Sequence, residues 1–492
     1  MGESVTEKIA RFVTGASFED IPQSVKDQSK LAILDWFAAY LAALAVAMEQ
    51  VTPLLEMIKE FGGKEKVRVI GMNKRTDVIS AATTNGYIGH LLDYDESTPS
   101  IRSHSTASVL PAVLAVGEER KISGRRLLES FAVGQEVTIK IGEAMHPEWL
   151  REGWHGTGIF GGFGCTAGSG KILGLGAEKM ASAIGIAASF ASGISENFGS
   201  STKPFHAAKA ARDGILAGFL ADKGITSKKT ALDGKAGFYH AYNWGDMKKI
   251  GVIDTLGKPW RLETWGAIAP KLNPCCHGLA TSIECGAIMF KKYGFPPDAI
   301  EEIEIYSHMK TLSAMISRSY VDTGELMYPN YLDGPPRQLL PGIPKTEKEA
   351  QFSKEYGFCK AFLEGELKIE HFTAEAIKEP KVVELMKKTK VFHCPRMEKI
   401  SISHPEIEWS YAERMVVKLK DGRVCEEEQH FVRGGAKRPL TMKHVEEKFI
   451  DYATRAGLAR KKITDVIAKV HKLEEVEDIS KFLDLFEGGT TC

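Results

Sequence analysis

The chain lacks most of the features that assign a protein at a glance. Eight cysteines stand among 492 residues with no CxxC pair, which leaves neither a disulfide framework nor the ligand spacing of a zinc site, so reduced thiols and no metal are expected. Cys275-Cys276-His277 is the nearest approach to a ligand group, but neighbouring residues on a strand point to opposite faces. Net charge is also missing, because Lys+Arg and Asp+Glu are each 64. That balance supplies no overall field to gather nucleic acid or an anionic membrane, and neither is expected as a partner. The start, MGESVTEKIARFV, has no positive segment leading into an apolar one, so a cytoplasmic location is expected. The apolar run from Trp36 to Met48 is too short to span a bilayer and reads as a buried helix. There is no GxSxG nucleophile elbow, no internal repeat and no low-complexity tract.

Two phosphate-loop patterns are present only in imitation. Gly170-Lys171 is followed by Ile172 where a P-loop needs Ser or Thr, and Cys165 occupies the position of its upstream glycine. Gly162-x-Gly164-x-x-Ala167 follows a loop that holds Trp154 and His155, without a βαβ unit. The density of small residues from Gly156 to Gly176 therefore reads as close helix packing.

What the chain has is apolar material and helical periodicity. Hydrophobic residues make up 43% of it, enough for a large core. Segments near 21–48, 77–92, 105–118, 123–145 and 177–189 follow helical spacing, with Ser123 placed as an N-cap. Beyond Trp265 the pattern changes. Ile300 to Tyr306 alternates as a half-buried strand, Val321 to Lys345 is rich in Pro and Gly, and Glu413–Lys420 and Arg423–Phe431 flank Asp421-Gly422, a two-residue hairpin signal. Thr441 then opens a helical tail to about Phe486. The expected fold is mainly α: a large all-helical domain over 1–266, a smaller α+β lid domain over 267–438, and C-terminal helices over 439–492 that return to the first domain.

Polar groups gather at the ends of the apolar segments. Asn197-Phe198-Gly199-Ser200-Ser201-Thr202-Lys203-Pro204-Phe205-His206 opens a helix with Pro204 in its first turn, and Phe205, Ala208, Ala211, Ile215 and Phe219 mark one buried face. Free N–H groups, a lysine and a histidine at such a helix start attract an anion. His90-Leu-Leu-Asp93-Tyr94-Asp95-Glu96-Ser97 puts three carboxylates at a helix C-terminus, where the dipole disfavours them. A solvated acidic turn is the plain alternative; two carboxylates brought together would give one a raised pKa and a use as a base. Arg102-Ser103-His104 precedes an apolar helix, Gly153-Trp154-His155-Gly156 sets a histidine before a glycine-rich one, and Lys271 leads into Asn273-Pro274-Cys275 at the domain boundary. This inventory of bases, acids and cations suits proton abstraction beside a carboxylate, followed by elimination, epimerisation or decarboxylation.

These motifs, in this order, resemble the MmgE/PrpD family, which contains 2-methylcitrate dehydratase, cis-aconitate decarboxylase and iminodisuccinate epimerase. The resemblance runs through LLDYDES (91–97), SHSTASVLPAVLA (103–115), GWHGTGIFG (153–161), FGSSTKPFHAAKAARDG (198–214) and KLNPCCH (271–277). It implies a homodimer without metal or organic cofactor and an active site between the domains for small di- or tricarboxylates. By motif position it implies proton transfer by Asp93 and His155, with His104 as a second acid/base. Lys203 and Lys271 would hold carboxylates, and Ser97 would donate a hydrogen bond. Arg102 and His206 join the substrate side, His206 by orienting Lys203 or its loop. Glu96-Ser97 stands where members commonly show Asp-Thr, Ser105 replaces a frequent proline, and the loop from Asp95 to His104 is longer than in the decarboxylase pattern. The leading expectation is therefore dehydration of a hydroxylated acid such as 2-methylcitrate. Epimerisation, decarboxylation and, in another class, non-catalytic carboxylate binding are the alternatives.

Overall fold

The computed structural model describes residues 2–145, 153–243, 245–264, 267–312, 314–325, 327, 332–403 and 410–488. The chain divides into two compact units, the first made of Met1–Ile194, Pro204–Pro270 and Leu440–Cys492, the second of Ser195–Lys203 and Lys271–Pro439. The stretch 195–203, assigned from the sequence to the helical domain, groups with the second unit.

The first unit is helical. Helix α1 (Val5–Gly15) opens with a capping box between Ser4 and Glu7. Helix α2 (Gln23–Val46) starts directly after Pro22, and every residue from Ser29 to Leu44 is buried. Its 24 residues are long and apolar enough to cross a membrane, which corrects the shorter run read from the sequence; 89% of its most apolar window lies inside the protein. Burial, not length, makes it a core helix. After α3 (Met48–Phe61), strands β1 (Val67–Val69) and β2 (Lys74–Thr76) pair antiparallel. Helix α4 (Val78–His90) is capped by Asp77, whose Oδ1 accepts from the N–H groups of Ile79 and Ser80 at 2.9 and 3.0 Å. Helices α5 (Ser105–Arg120), α6 (Gly124–Glu143), α7 (Gly156–Ile172), α8 (Ala177–Phe190) and α9 (Thr202–Asp222) follow.

Small residues in α7 let helices approach closely. A Cβ on Gly134 of α6 would stand 2.7 Å from Val109 Cγ1 of α5 and 2.8 Å from the Gly164 carbonyl of α7, and one on Gly168 would stand 2.6 Å from Val113 Cγ1. Gly214 of α9 packs in the same way on Cys165. That contact explains why α9 departs from the single buried face expected of it. Phe205 and Phe219 are only partly buried, whereas Ala207, Ala210 and Ala217, outside the expected stripe, are fully buried. From the C-terminal part of the chain, the helix Met442–Arg455 packs on α2, and Lys448 Nζ donates to Asp35 Oδ1 at 2.8 Å and to the Tyr94 carbonyl at 2.7 Å.

The second unit carries a five-stranded sheet ordered β4-β5-β3-β6-β7, with β3 (Ile300–Ser307), β4 (Arg337–Gln338), β5 (Thr389–His393), β6 (Ser410–Leu419) and β7 (Val424–Phe431). Strand β3 runs parallel to β5 and antiparallel to β6, and its Ile300, Ile303 and Ile305 are buried. The hairpin β6–β7 forms, but by a different turn. Gly422 N–H donates to the Leu419 carbonyl at 2.9 Å and Leu419 N–H to the Arg423 carbonyl at 2.9 Å, so Lys420 and Asp421 are the turn's centre and Gly422, at φ +87°, is the left-handed residue that closes it. Helices Ala280–Tyr293 and Lys354–Glu364 pack together in this unit, and Lys354 pairs with Glu413 in its interior.

Gly134→Ala should lower the thermal midpoint, because a methyl group pressed against Val109 and Gly164 costs about 1–3 kcal/mol or more. A melt followed by circular dichroism, unchanged from the parent, would show that α5, α6 and α7 have room to part.

Candidate active site

Helix α4 ends at His90 and the chain turns sharply: Leu91 keeps helical backbone and Asp93 adopts φ +52°, a left-handed conformation that aspartate tolerates better than most residues. The loop beyond is pinned along its length. Ser97 exchanges backbone hydrogen bonds with Ala269 at 3.0 and 2.8 Å, Thr98 does so with Ser103 at 2.7 and 3.2 Å, and Tyr94 is held through the Lys448 contact described above. Asp93, Asp95 and Glu96 are consequently buried, which excludes the solvated acidic turn.

Asp95 lies at the centre. Its Oδ1 is 2.8 Å from His90 Nδ1, its Oδ2 is 3.2 Å from His104 Nδ1, and His104 Nε2 is 3.4 Å from Asp93 Oδ1. His104 Nδ1 is also 2.8 Å from the Glu96 backbone carbonyl. A carbonyl only accepts, so that nitrogen carries the hydrogen and Nε2 is left as the atom that gains or loses a proton. Burial pushes the Asp95 carboxyl up, but the charges and hydrogen bonds of His90 and His104 outweigh it and hold the group below the usual carboxylate range. Its neighbour goes the other way: burial raises Glu96 to about 8, helped by the charges of Asp95 and Asp35, although Glu96 Oε1 accepts from the Thr106 N–H at 2.8 Å. Adjacent carboxyl groups thus occupy different protonation states near neutrality.

A second imidazole pair lies nearby. His155 is the N-cap residue of α7, its N–H donating to the Gly193 carbonyl at 3.0 Å. Its Nδ1 is 2.8 Å from His206 Nδ1, so one of the two nitrogens carries the hydrogen and the other accepts it. Gly158 lies against the chain that precedes α9: a Cβ on it would stand 2.5 Å from the Ser192 carbonyl. The His155 ring is 6.5 Å from that of His90.

The chain matches the MmgE/PrpD N-terminal domain over residues 7–250 and the MmgE/PrpD C-terminal domain over residues 274–472. It belongs to the MmgE/PrpD family. Cis-aconitate decarboxylase of Mus musculus is 28% identical over 99% of this chain and 94% of its own length, and that of Homo sapiens 27% identical over 99% and 95%. Cis-aconitate decarboxylase of Aspergillus terreus is 30% identical over 57% of this chain and 59% of its own length. These relatives support an enzyme, and they support the decarboxylase alternative better than the dehydration that leads on the sequence alone.

Of the residues expected from the family's motifs, Asp93, His104, His155 and His206 gather in the first unit. His206, within α9, pairs with His155 at the start of α7. Ser97 is buried and held through its backbone, and Arg102 is a half-buried turn residue at φ +43°. The two lysines belong to the second unit. Lys203 is buried with Nζ 5.3 Å from the Phe352 ring centre and 5.8 Å from that of Phe198. The first-turn N–H groups beside it are not bare: Thr202 N–H donates to Ser200 Oγ at 3.2 Å and Lys203 N–H to the Ser200 carbonyl at 3.3 Å. Lys271 lines a cleft of about 360 Å³ with Asn273, His277, Lys368 and Arg433.

Sequence reasoning passed over His90, Asp95 and Glu96 as site residues. Their signal was visible only as a crowd of titratable groups between 90 and 97. His90, Asp93, Asp95 and His104 offer four ligand atoms within 4.8 Å of one another. The contact between the Nδ1 hydrogen of His104 and the Glu96 carbonyl removes that nitrogen as a ligand; Asp95 Oδ1 makes a hydrogen bond with His90 Nδ1, and Asp95 Oδ2 makes a charge contact with His104 Nδ1.

Glu96→Gln tests the raised carboxyl. Between its ordinary pKa of 4.5 and about 8, the unfolded chain has released this proton and the folded chain has kept it, so stability falls as pH rises through that window. The glutamine, isosteric with the neutral acid, should leave melting at about pH 5 unchanged and raise the midpoint above about pH 8. Thermal melts across that range check it, and equal slopes for the two proteins would show Glu96 to be ionised in the fold.

Proposed function

We propose that this chain is a cofactor-independent lyase that removes CO2 from a small unsaturated tricarboxylate of the cis-aconitate type. In that reaction the bond between a methylene carbon and its carboxylate breaks, and the electron pair forms a new double bond to the central carbon. The pair of the old double bond takes a proton at the alkene CH, and CO2 leaves. One proton is taken up and no water is lost. The chemistry therefore needs a proton donor aimed at carbon and cations for the carboxylates that remain.

The observation that carries this reading is the net around Asp95, in which an ionised carboxylate favours protonated imidazole at His104, with Nε2 as the atom that moves the proton beside Asp93. The resemblance to cis-aconitate decarboxylases along 99% of the chain supports the substrate class. We assign proton transfer to His104, Asp93 and His155, with His206 sharing the His155 proton. Lys203 and Lys271 are assigned to substrate carboxylates, with Ser97 and Arg102 as further donors. Dehydration of 2-methylcitrate would use the same acids and bases to remove a proton and protonate a departing hydroxide.

Proton NMR in deuterated water decides between them. With cis-aconitate the expected product is a terminal methylene compound carrying one deuterium, formed with CO2. Loss of water from 2-methylcitrate with cis-aconitate untouched would overturn decarboxylation in favour of dehydration. Tight tricarboxylate binding without turnover of either would overturn catalysis altogether. His155→Gln and Asp93→Asn should lower kcat by about 10²–10⁴-fold with the fold intact. Lys203→Ala or Lys271→Ala should act mainly on KM, raising it roughly 10- to 100-fold for the loss of a charge-assisted hydrogen bond. Steady-state kinetics on purified variants measures both.

A further inference from the structure

The motifs that led to the site name His104 as an acid/base and are silent on what sets its tautomer. Three observations address that. Asp95 is fully buried between two imidazoles, with a separate oxygen for each. Both contacts are made at Nδ1, and the Glu96 carbonyl adds a second acceptor at His104 Nδ1. The rings of His90 and His104 lie 4.4 Å apart, close enough that a charge on one is felt by the other. A side chain charged or accepting on one oxygen only would leave His104 Nδ1 with the Glu96 carbonyl and no negative charge beside it.

We propose that Asp95 is a positioning residue shared by two histidines in one clamp: its Oδ1 bonds His90 Nδ1, and the charge on its Oδ2 beside His104 Nδ1 acts with the Glu96 carbonyl to keep hydrogen there, so that His104 presents Nε2 for proton transfer. The proposal deepens the proposed lyase reading and rests on it for the role of His104, but the tautomers themselves exist without substrate. The charged and titratable groups around the clamp are Asp93 and Glu96 on its own loop, His104 before α5, His90 on α4, His155 on α7, and the Asp35–Lys448 pair from α2 and the C-terminal helix. Asp95 is the carboxylate among them that contacts both rings directly. The Coulomb interaction that holds its own proton off favours, from the imidazole side, a charged ring.

The sign of the consequence follows. If His104 must be protonated to act, activity is lost as pH rises through its pKa. Asp95→Asn removes the negative charge and sets an NH2 group against one of the two Nδ1–H groups, a clash of donors that one ring escapes by changing tautomer. It should lower kcat on the order of 10²-fold or more and move the basic limb of the kcat/KM profile down by about one to two pH units, with KM little changed. His90→Gln leaves Asp95 charged and no longer shared between two imidazoles, so the same limb should stay or move up. A purely structural role would lower activity in both variants and move neither limb.

A measurement on the parent protein stands apart from catalysis. In protein labelled with ¹⁵N at histidine, with ring signals assigned through the backbone, His90 and His104 should show a protonated Nδ1 at every pH at which the fold persists. A neutral His104 ring with hydrogen on Nε2 overturns the clamp even if decarboxylation is found. The predicted spectrum together with an inactive enzyme keeps the clamp and rejects the lyase reading. Should Asp95→Asn fail to fold, the parent spectrum and the His90→Gln profile still decide.

Discussion

One buried carboxylate between two imidazoles is the constraint to which the rest of the first unit answers. An ionised aspartate taken fully out of water costs several kcal/mol unless it is paired and hydrogen-bonded, and Asp95 meets that cost with His90 from the end of one helix and His104 from the start of another. The loop between those helices is therefore not free to vary in path. It is tied at Ser97 to Ala269 and at Tyr94 to Lys448, and closed on itself between Thr98 and Ser103, so two distant parts of the chain fix the geometry of one polar net. The same burial that isolates Asp95 drives its neighbour Glu96 to keep its proton, and the fold thereby separates the roles of two adjacent acids by environment alone.

The glycine-rich helix serves the same net from the other side. Gly134, Gly164 and Gly168 let α5, α6 and α7 approach to a separation that any side chain would prevent. That packing sets where α7 begins, and its N-cap is His155. His206 of α9 reaches His155 there, Nδ1 to Nδ1 at 2.8 Å. A run of residues that imitates a nucleotide-binding loop is in fact a packing surface whose first residue follows His155.

Much of the fold was legible because it rests on local chemistry. Asp77 and Ser123 announce helix starts by accepting from backbone N–H groups one turn on, and the alternation from Ile303 through Glu304 to Ile305 announces a strand with one buried face. The failures were failures of locality. Asp421-Gly422 marked a hairpin correctly, but which residues sit at its centre is fixed by the register of β6 against β7. The stripe expected on α9 assumed one neighbour, whereas alanines and Gly214 admit helices on several sides. The apolar run in α2 was judged by its length, yet what identifies it as core is the protein that surrounds it.

By itself the sequence determined the helical and mixed segments and the family through the order of its motifs, because residue type and spacing are chemical facts that need no partner. Only the tertiary structure decided that Asp95 is shared by two histidines, that Glu96 is kept neutral, and that His206 answers to His155. Each of these depends on which atoms are brought within hydrogen-bonding distance and removed from water, and segments separated along the chain supply those atoms only after it has folded.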